Sequence, residues 1–353
     1  MFQVKESGSI LVELNSNILN LNRASTGIYL SLKAWGESGK ILMPANICYS
    51  PLRVSLDAGY TMEFFNPTNL SYDCAEVVKI ANSDKSINAL LLPKLYGYTP
   101  KNIECLKQLD TSRQWLIIED MAQTYGPSFI NIDLKNITIV TVYSFGESKF
   151  IDNFKAGMLV CRSNLLFNKI MTVYANIPIL SDQLEKEIDA NDETNKLQAR
   201  LSGDWHSYYK KLMETDSRRF VLKKQKVPSM IIDKYIIESK KRNVFEKSEL
   251  FRHKLSNINE IIVPNEDDFV SENPVWRFTV RLEEDRRNRL ISVLRAQKLP
   301  VSTWYQVVPN YLGLVDSNRF KESLLFEKQV VNFWVNEQIN DHYIDTVVKH
   351  LQN

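Results

Sequence analysis

Short apolar runs alternate with stretches of helical periodicity through the first half of the chain. Residues 41–44, 89–93, 115–118 and 137–143 are largely apolar and of strand length, and residues 62–65 read as a further strand. Between them, Ile28, Leu30, Leu32 and Trp35 suit a helix ended by Gly36-Glu37-Ser38-Gly39-Lys40, and residues 51–58 suit a helix closed by Gly59. Runs without polar alternation have both faces buried. The pattern therefore predicts an α/β fold with a mostly parallel sheet covered by helices on both sides. In such sheets ligands sit beyond the carboxyl ends of the strands, so the residues that follow each run carry the most information.

The second half reads differently. Residues 180–255 are charged and helix-forming, without strand signals. Residues 274–282 alternate like a strand, 284–297 form a charged helix, 301–307 another strand, and 321–351 two helical segments. This predicts a large domain over residues 1–230 and a small α+β domain over residues 231–353.

Composition narrows the classes. The 353 residues carry 44 Lys+Arg against 42 Asp+Glu, a net charge of +2, which supplies no field for nucleic acid or an anionic membrane. No window approaches 18 uncharged apolar residues, and the first residues lack the basic-then-apolar order of a signal peptide. Cys48, Cys74, Cys105 and Cys161 form no CxxC pair, and His206, His253, His342 and His350 show no metal-ligand spacing. Buried thiols in a reducing cytoplasm, and no metal site, are the expectation. The absence of GxGxxG after the first strand argues against a nicotinamide dehydrogenase.

Three element ends deliver polar groups. Glu119-Asp120-Met121-Ala122-Gln123 follows one run, Ser144-Phe145-Gly146-Glu147-Ser148-Lys149 follows another, and Arg23-Ala24-Ser25-Thr26 opens the first long helix. A carboxylate, a lysine and a hydroxyl-bearing helix N-terminus suit pyridoxal phosphate (PLP). The lysine bonds the aldehyde and moves protons, the carboxylate keeps the ring nitrogen protonated, and the helix end takes the phosphate.

These segments resemble the DegT/DnrJ/EryC1/StrS aminotransferases, sugar aminotransferases of the aspartate aminotransferase fold (PLP fold type I). ASTGIYLSLKAWG is similar to the family's SGTAALxLALxALG helix, and ILMPANICYS to its VIVPAxTFxAT stretch. LYGYTPKNIECLKQL and LIIEDMAQTYG resemble HLYGxPADMDAI and VIEDAAQAHG, and VYSFGESKFIDNFKAGMLVC resembles the lysine-bearing FSFxPTKxLxxGxGG segment. VWRFTVRL and the segment after it are similar to the family's C-terminal strand–helix–strand. The resemblance implies that Lys149 bonds the cofactor and acts as base, Asp120 pairs with the ring nitrogen, and Gln123 approaches the ring hydroxyl. It places Ala24, Ser25 and Ser144 at the phosphate, and Cys48 where the family stacks an aromatic ring on the cofactor. It further implies an amino-acid donor, typically glutamate, a nucleotide-linked keto-sugar acceptor, and a homodimer with shared active sites.

Other readings stay open at this level. The same residues serve a PLP enzyme of this family with dehydration or carbon–carbon chemistry, or a non-catalytic relative acting as a binding subunit. The family's GxNxRM segment is not recognisable between residues 200 and 230. Glu147 is either a solvated loop carboxylate or a substrate contact, and Tyr96 either lines the crevice or packs in the core. The charge run at residues 283–289 reads as the wet face of a helix. Arg218, Arg219, Lys223, Lys224 and Lys226 read as a solvated surface in preference to a site facing nucleotide phosphates at a subunit boundary.

Overall fold

The apolar runs pair into one seven-stranded sheet. A computed structural model describes residues 17–36, 38–68, 70–146, 148–152, 156–202, 207–208, 210–211, 223–224, 234–256, 258, 260–264, 274–313 and 318–352. Its large sheet comprises β1 (Asn17–Leu21), β2 (Gly39–Pro44), β3 (Tyr60–Phe65), β4 (Ile87–Pro93), β5 (Trp115–Asp120), β6 (Ile137–Ser144) and β7 (Gly157–Cys161), in the order β1-β7-β6-β5-β4-β2-β3. β3, β2, β4, β5 and β6 run parallel, while β7 lies antiparallel to both β6 and β1. The register sets Pro93 beside Asp120 and Asp120 beside Val142, so the ends of β4, β5 and β6 share one edge.

The alternation along β5 explains its unbroken apolar character. Leu116 and Ile118 join a core with the helices α1 (Ala24–Trp35) and α2 (Tyr49–Asp57) and the helix Asn164–Asn176. Trp115 and Ile117 face the opposite core, with α3 (Cys74–Ser83). That second core does not stop at the sheet. It continues into Phe251, Phe278, Val280, Val331, Phe333, Tyr343 and Ile344 of the C-terminal part. There the strands Phe278–Arg281, Val330–Phe333 and Val301–Ser302 form an antiparallel sheet with Val330–Phe333 in the middle. The Phe251 ring, on the helix Lys234–Leu255, stacks on Phe278 at 5.0 Å and on Phe333 at 5.4 Å.

The structure corrects several expected boundaries. Residues 321–351 hold a helix (Lys321–Gln329), the central strand Val330–Phe333 and a second helix (Asp341–Gln352), not two helices alone. Val330, Val331, Asn332 and Phe333 are all fully buried, and this central position overrides the helical spacing around them. The strand expected over residues 301–307 is only Val301–Ser302. Beyond it, Trp304 N–H donates to the Asn332 side chain at 2.9 Å and Val307 N–H to the Glu327 carboxylate at 2.8 Å, so the backbone leaves the ladder. Ladder pairing over residues 274–282 is confined to Phe278–Arg281.

Among the described residues no helix is long and apolar enough to cross a membrane, and no cluster of His, Cys, Asp or Glu could hold a metal ion. The four cysteines are free thiols.

Candidate active site

Asp120 and Lys149 come from neighbouring strand ends. Asp120 closes β5, is buried, and accepts the Ala122 N–H at 2.9 Å. Burial pushes its carboxyl group up, against the opposing pull of the Ala122 N–H and of Lys149. Lys149 sits on the turn after β6, where its N–H donates to the Gly146 carbonyl at 3.2 Å. The preceding residue, Ser148, has φ of 61°, a left-handed conformation uncommon outside glycine. The Ser148 carbonyl is fixed in turn by the Trp276 indole N–H at 2.7 Å. The Lys149 ammonium lies 5.4 Å from the centre of the Trp276 ring. Burial lowers the affinity of Lys149 for its proton; Cys48 and Asp120 oppose this, and Arg277 adds to it. A lysine so placed is readily neutral, as a nucleophile must be.

A cradle of backbone lies next to this pair. Ser144, the last residue of β6, pairs with Gly157, the first of β7. A side chain at Gly157 would sit 2.5 Å from both the Ala24 nitrogen and the Arg23 carbonyl carbon. Glycine here lets the start of α1 lie directly on the sheet, bringing Ala24 and Ser25 to Ser144. Ala24 and Ser25 are buried, the helix has no side-chain cap at Arg23, and its first turn carries no acid. A buried helix end with uncancelled partial positive charge suits an anion.

The crevice is bounded by the C-terminal part. Tyr305 is buried where Cys48, Tyr96, Asp120 and Arg277 all act on it electrostatically. Its ring stacks on Trp276 at 6.1 Å and on Tyr96 at 5.8 Å. The Tyr96 hydroxyl donates to the Trp304 carbonyl at 2.7 Å and accepts the Tyr305 N–H at 3.1 Å. Gln123, buried just after β5, accepts the Tyr96 N–H at 2.6 Å and so holds that residue at φ of 56°. The next residue, Gly97, has φ of 95°, and a side chain there would meet the Val275 Cα at 2.5 Å. Cys48, half-buried at the start of α2, points its thiol towards Ser50 at 3.6 Å.

The structure thus brings Asp120, Lys149, Cys48 and Gln123 to one crevice, with Ala24, Ser25 and Ser144 at its side. Tyr96 belongs to the wall and the core together. Glu147, Arg218, Arg219 and Lys226 lie outside the described residues, as does most of the segment between 200 and 230. Sequence reasoning missed Trp276, Arg277 and Tyr305. Trp276 and Arg277 looked like members of an alternating strand; the signal available was a charged residue beside tryptophan at that strand's start.

Beneath the crevice lies a second buried group of charges. Glu119 accepts hydrogen bonds from Thr141 Oγ1 at 2.6 Å, Phe129 N–H at 2.6 Å, Ser128 Oγ at 3.0 Å and Ile130 N–H at 3.1 Å. Lys94 is fully buried with no hydrogen-bond partner on its ammonium. Burial pulls it down to about 7, with Glu119 opposing. Its unfolded value is 10.5, so between about 7 and 10.5 the unfolded chain binds a proton that the folded chain does not. Stability therefore rises with pH across that window, by up to about 1.4 kcal/mol per pH unit, and is insensitive to Lys94 below it. Lys94→Met should lack this rise, so the difference between the two proteins' urea midpoints is expected to change with pH across that window. Parallel curves from pH 6 to 10 would show instead that Lys94 keeps its proton.

A parallel-sheet α/β protein with a lysine and a carboxylate at adjacent strand ends and an anion cradle beside them has the architecture of a PLP fold type I enzyme. Residues 13–202 match the profile of the DegT/DnrJ/EryC1/StrS aminotransferase family, and the chain belongs to that family. It is 23% identical over 156 residues to GDP-perosamine synthase of Escherichia coli O157:H7, a stretch covering 43% of this chain and 42% of that protein. The chain thus spans less than half the length of this relative. Among solved structures it is similar to DesV of S. venezuelae, with a TM-score of 0.66, 18% identity, and coverage of 95% of this chain and 84% of that one. NtdA of Bacillus subtilis, solved with bound PMP, gives a TM-score of 0.67 at 14% identity, covering 95% of this chain and 72% of that one.

PLP is the cofactor of this family, and the residues present fit it. The uncapped, buried start of α1 and the Gly157 approach suit its phosphate, a readily neutral lysine its aldehyde, and a buried carboxylate its ring nitrogen.

Proposed function

We propose that this chain is a PLP-dependent aminotransferase that passes an amino group from an amino acid to a keto-sugar carried on a nucleotide. The reading includes L-glutamate as donor, a homodimer with shared sites, and work in the cytoplasm on polysaccharide or secondary-metabolite precursors. The observation that carries it is the placement of Lys149 and Asp120 at adjacent strand ends beside the α1 cradle. GDP-perosamine synthase among the relatives, and DesI solved in the presence of its TDP-sugar product among structures of this fold, support the acceptor class.

PLP, when bound, supplies an electron sink and a temporary carrier for the amino group. The residues divide the remaining work. Lys149 Nζ, which burial and Arg277 favour in the neutral form, would hold the aldehyde and supply the base for the proton that must move between two carbons. Asp120, its carboxylate fixed by the Ala122 N–H, would keep a proton on the ring nitrogen. Ser25, Ser144 and the start of α1 would bind the phosphate. Tyr305 and Trp276 wall the crevice and exclude water, which strengthens each charge interaction inside it.

The test is an absorption spectrum of the purified protein with PLP, before and after L-glutamate. A near-visible band from the lysine-bound cofactor should appear, then give way to the shorter-wavelength absorption of the aminated cofactor. A protein that takes up PLP but is unchanged by any amino acid would point to the family's other reactions. One that takes up no PLP would point to a binding subunit.

A further inference from the structure

We propose that Tyr96 is a positioning residue: its hydroxyl fixes the backbone at Trp304 and Tyr305, and so aims the Tyr305 hydroxyl at an oxygen of the bound substrate. This rests on the aminotransferase reading above. The oxygens concerned are the keto and carboxylate acceptors that amino-group transfer brings into the crevice.

Tyr96 is fully buried just after β4, and each of its polar groups is spent on the crevice. Its N–H donates to Gln123 Oε1 at 2.6 Å, and its carbonyl accepts the Trp276 N–H at 2.7 Å. Its hydroxyl donates to the Trp304 carbonyl at 2.7 Å and accepts the Tyr305 N–H at 3.1 Å. Three separate stretches of chain, around Gln123, Trp276 and Tyr305, are therefore tied to one residue. Its ring packs near-parallel to those of Tyr305 at 5.8 Å and Phe326 at 6.2 Å. The backbone stands at φ 56°, ψ 4°. A tyrosine stays in that region only where its surroundings over-determine it, and such outliers gather at functional sites. An aromatic that only filled space would need neither the strained backbone nor the four bonds.

Tyr305 is the group so placed. It is buried, yet among the described residues its hydroxyl makes no hydrogen bond to the protein. Buried hydroxyls are ordinarily paired, so one left open at a crevice calls for a partner that arrives from outside. Burial pushes this hydroxyl well above its usual range; Cys48, Tyr96 and Asp120 add to the effect and Arg277 opposes it. Tyr305 therefore keeps its proton at neutral pH and has it to donate. Cys48, Asp120 and Arg277 act electrostatically on Lys149 as well, which puts the hydroxyl on the lysine's side of the crevice. The Tyr305 ring lies against Trp276 at 6.1 Å with 14° between the planes, so it has little freedom to swing. What remains to be set is the position of its backbone. The Tyr96 hydroxyl sets it from both sides of one peptide, at the Trp304 carbonyl and the Tyr305 N–H.

The test is a double-mutant cycle of Tyr96→Phe and Tyr305→Phe on the PLP-loaded protein. The near-visible cofactor band is recorded first, then the single-turnover rate at saturating L-glutamate. Tyr96→Phe keeps the ring and removes only the hydroxyl, and its rate should fall by about 10²-fold. Made in the Tyr305→Phe background, the same substitution should lower the rate by only about tenfold or less, because the hydroxyl it aims is gone; independent sites would simply add. Amide hydrogen exchange supplies a readout without turnover. The Tyr305 N–H should exchange as slowly as the core of β5 in the wild type, and much faster in Tyr96→Phe. Equal losses in both backgrounds, or fast exchange of the wild-type Tyr305 N–H, would overturn the assignment. Should Tyr96→Phe not fold, wild-type exchange and Tyr305→Phe decide: a Tyr305→Phe rate within about threefold of wild type would equally sink it. A wild type without the cofactor band would instead count against the aminotransferase reading itself.

Discussion

Lys149→Ala is expected to lose the near-visible cofactor band completely and to retain less than about one part in 10³ of wild-type turnover. The band requires a covalent bond to an amine, and neither Lys94, which lies beside Phe129, nor Lys240, which is engaged by Glu337, takes its place. Loss of a positioned proton carrier alone costs about 10²–10⁴-fold, and loss of the nucleophile adds to it. The fold should tolerate the change, because Lys149 is half-buried and, among the described residues, its ammonium contacts the Trp276 face and no hydrogen-bond partner. Circular dichroism and urea midpoints close to wild type are therefore expected alongside the lost band. A variant that kept both the band and turnover would remove the basis of the proposed function.

Asp120→Ala is the second large effect, with a different signature. Lys149 remains, so the cofactor should still bond and the band survive, but on the proposed reading the ring nitrogen would lose the anion that keeps it protonated. Electrostatic support of developing charge in a dry site is worth roughly 10²–10³-fold per group. A loss of that size in the half-reaction with glutamate is expected, with the band displaced in wavelength rather than absent. The lysine's own ionisation should move as well. Asp120 is one of the two groups that hold the proton on Lys149 against burial, so its removal should drive Lys149 further towards neutrality. A turnover within threefold of wild type would show that another group holds the ring nitrogen.

Much of this was legible in the sequence because the informative residues follow strands that are buried on both faces. β4, β5 and β6 read as unbroken apolar runs since Leu116 and Ile118 face one core and Trp115 and Ile117 the other. Asp120, Gln123, Ser144 and Lys149 stood out by coming directly after such runs. What could not be read is long-range. β1 is short, and its ladder is with β7, whose residues lie about 140 positions further along. The strand Val330–Phe333 hides between two helices and is recognised only by its partners on both sides. Arg277 and Tyr305 approach Lys149 because the small sheet packs on the large one, and nothing local to either residue announces that. Gln123 illustrates the middle case. Its presence in the crevice follows from its position after β5, but its bond to the Tyr96 N–H depends on a left-handed residue 27 positions earlier.

The hydrophobic core that crosses from the large sheet into the small one has an architectural cost for engineering. Trp115, Tyr98 and Tyr96 on one side and Val275, Phe278 and Phe333 on the other belong to a single apolar body. Asn46 reinforces the join, donating to the carbonyls of Tyr305 and Ser323 at 3.1 Å each. A C-terminal part exchanged for that of a relative would have to match the contours of the whole seam rather than a linker. The two parts are better regarded as one inheritable block, in which acceptor preference and cofactor chemistry are not separately transplantable.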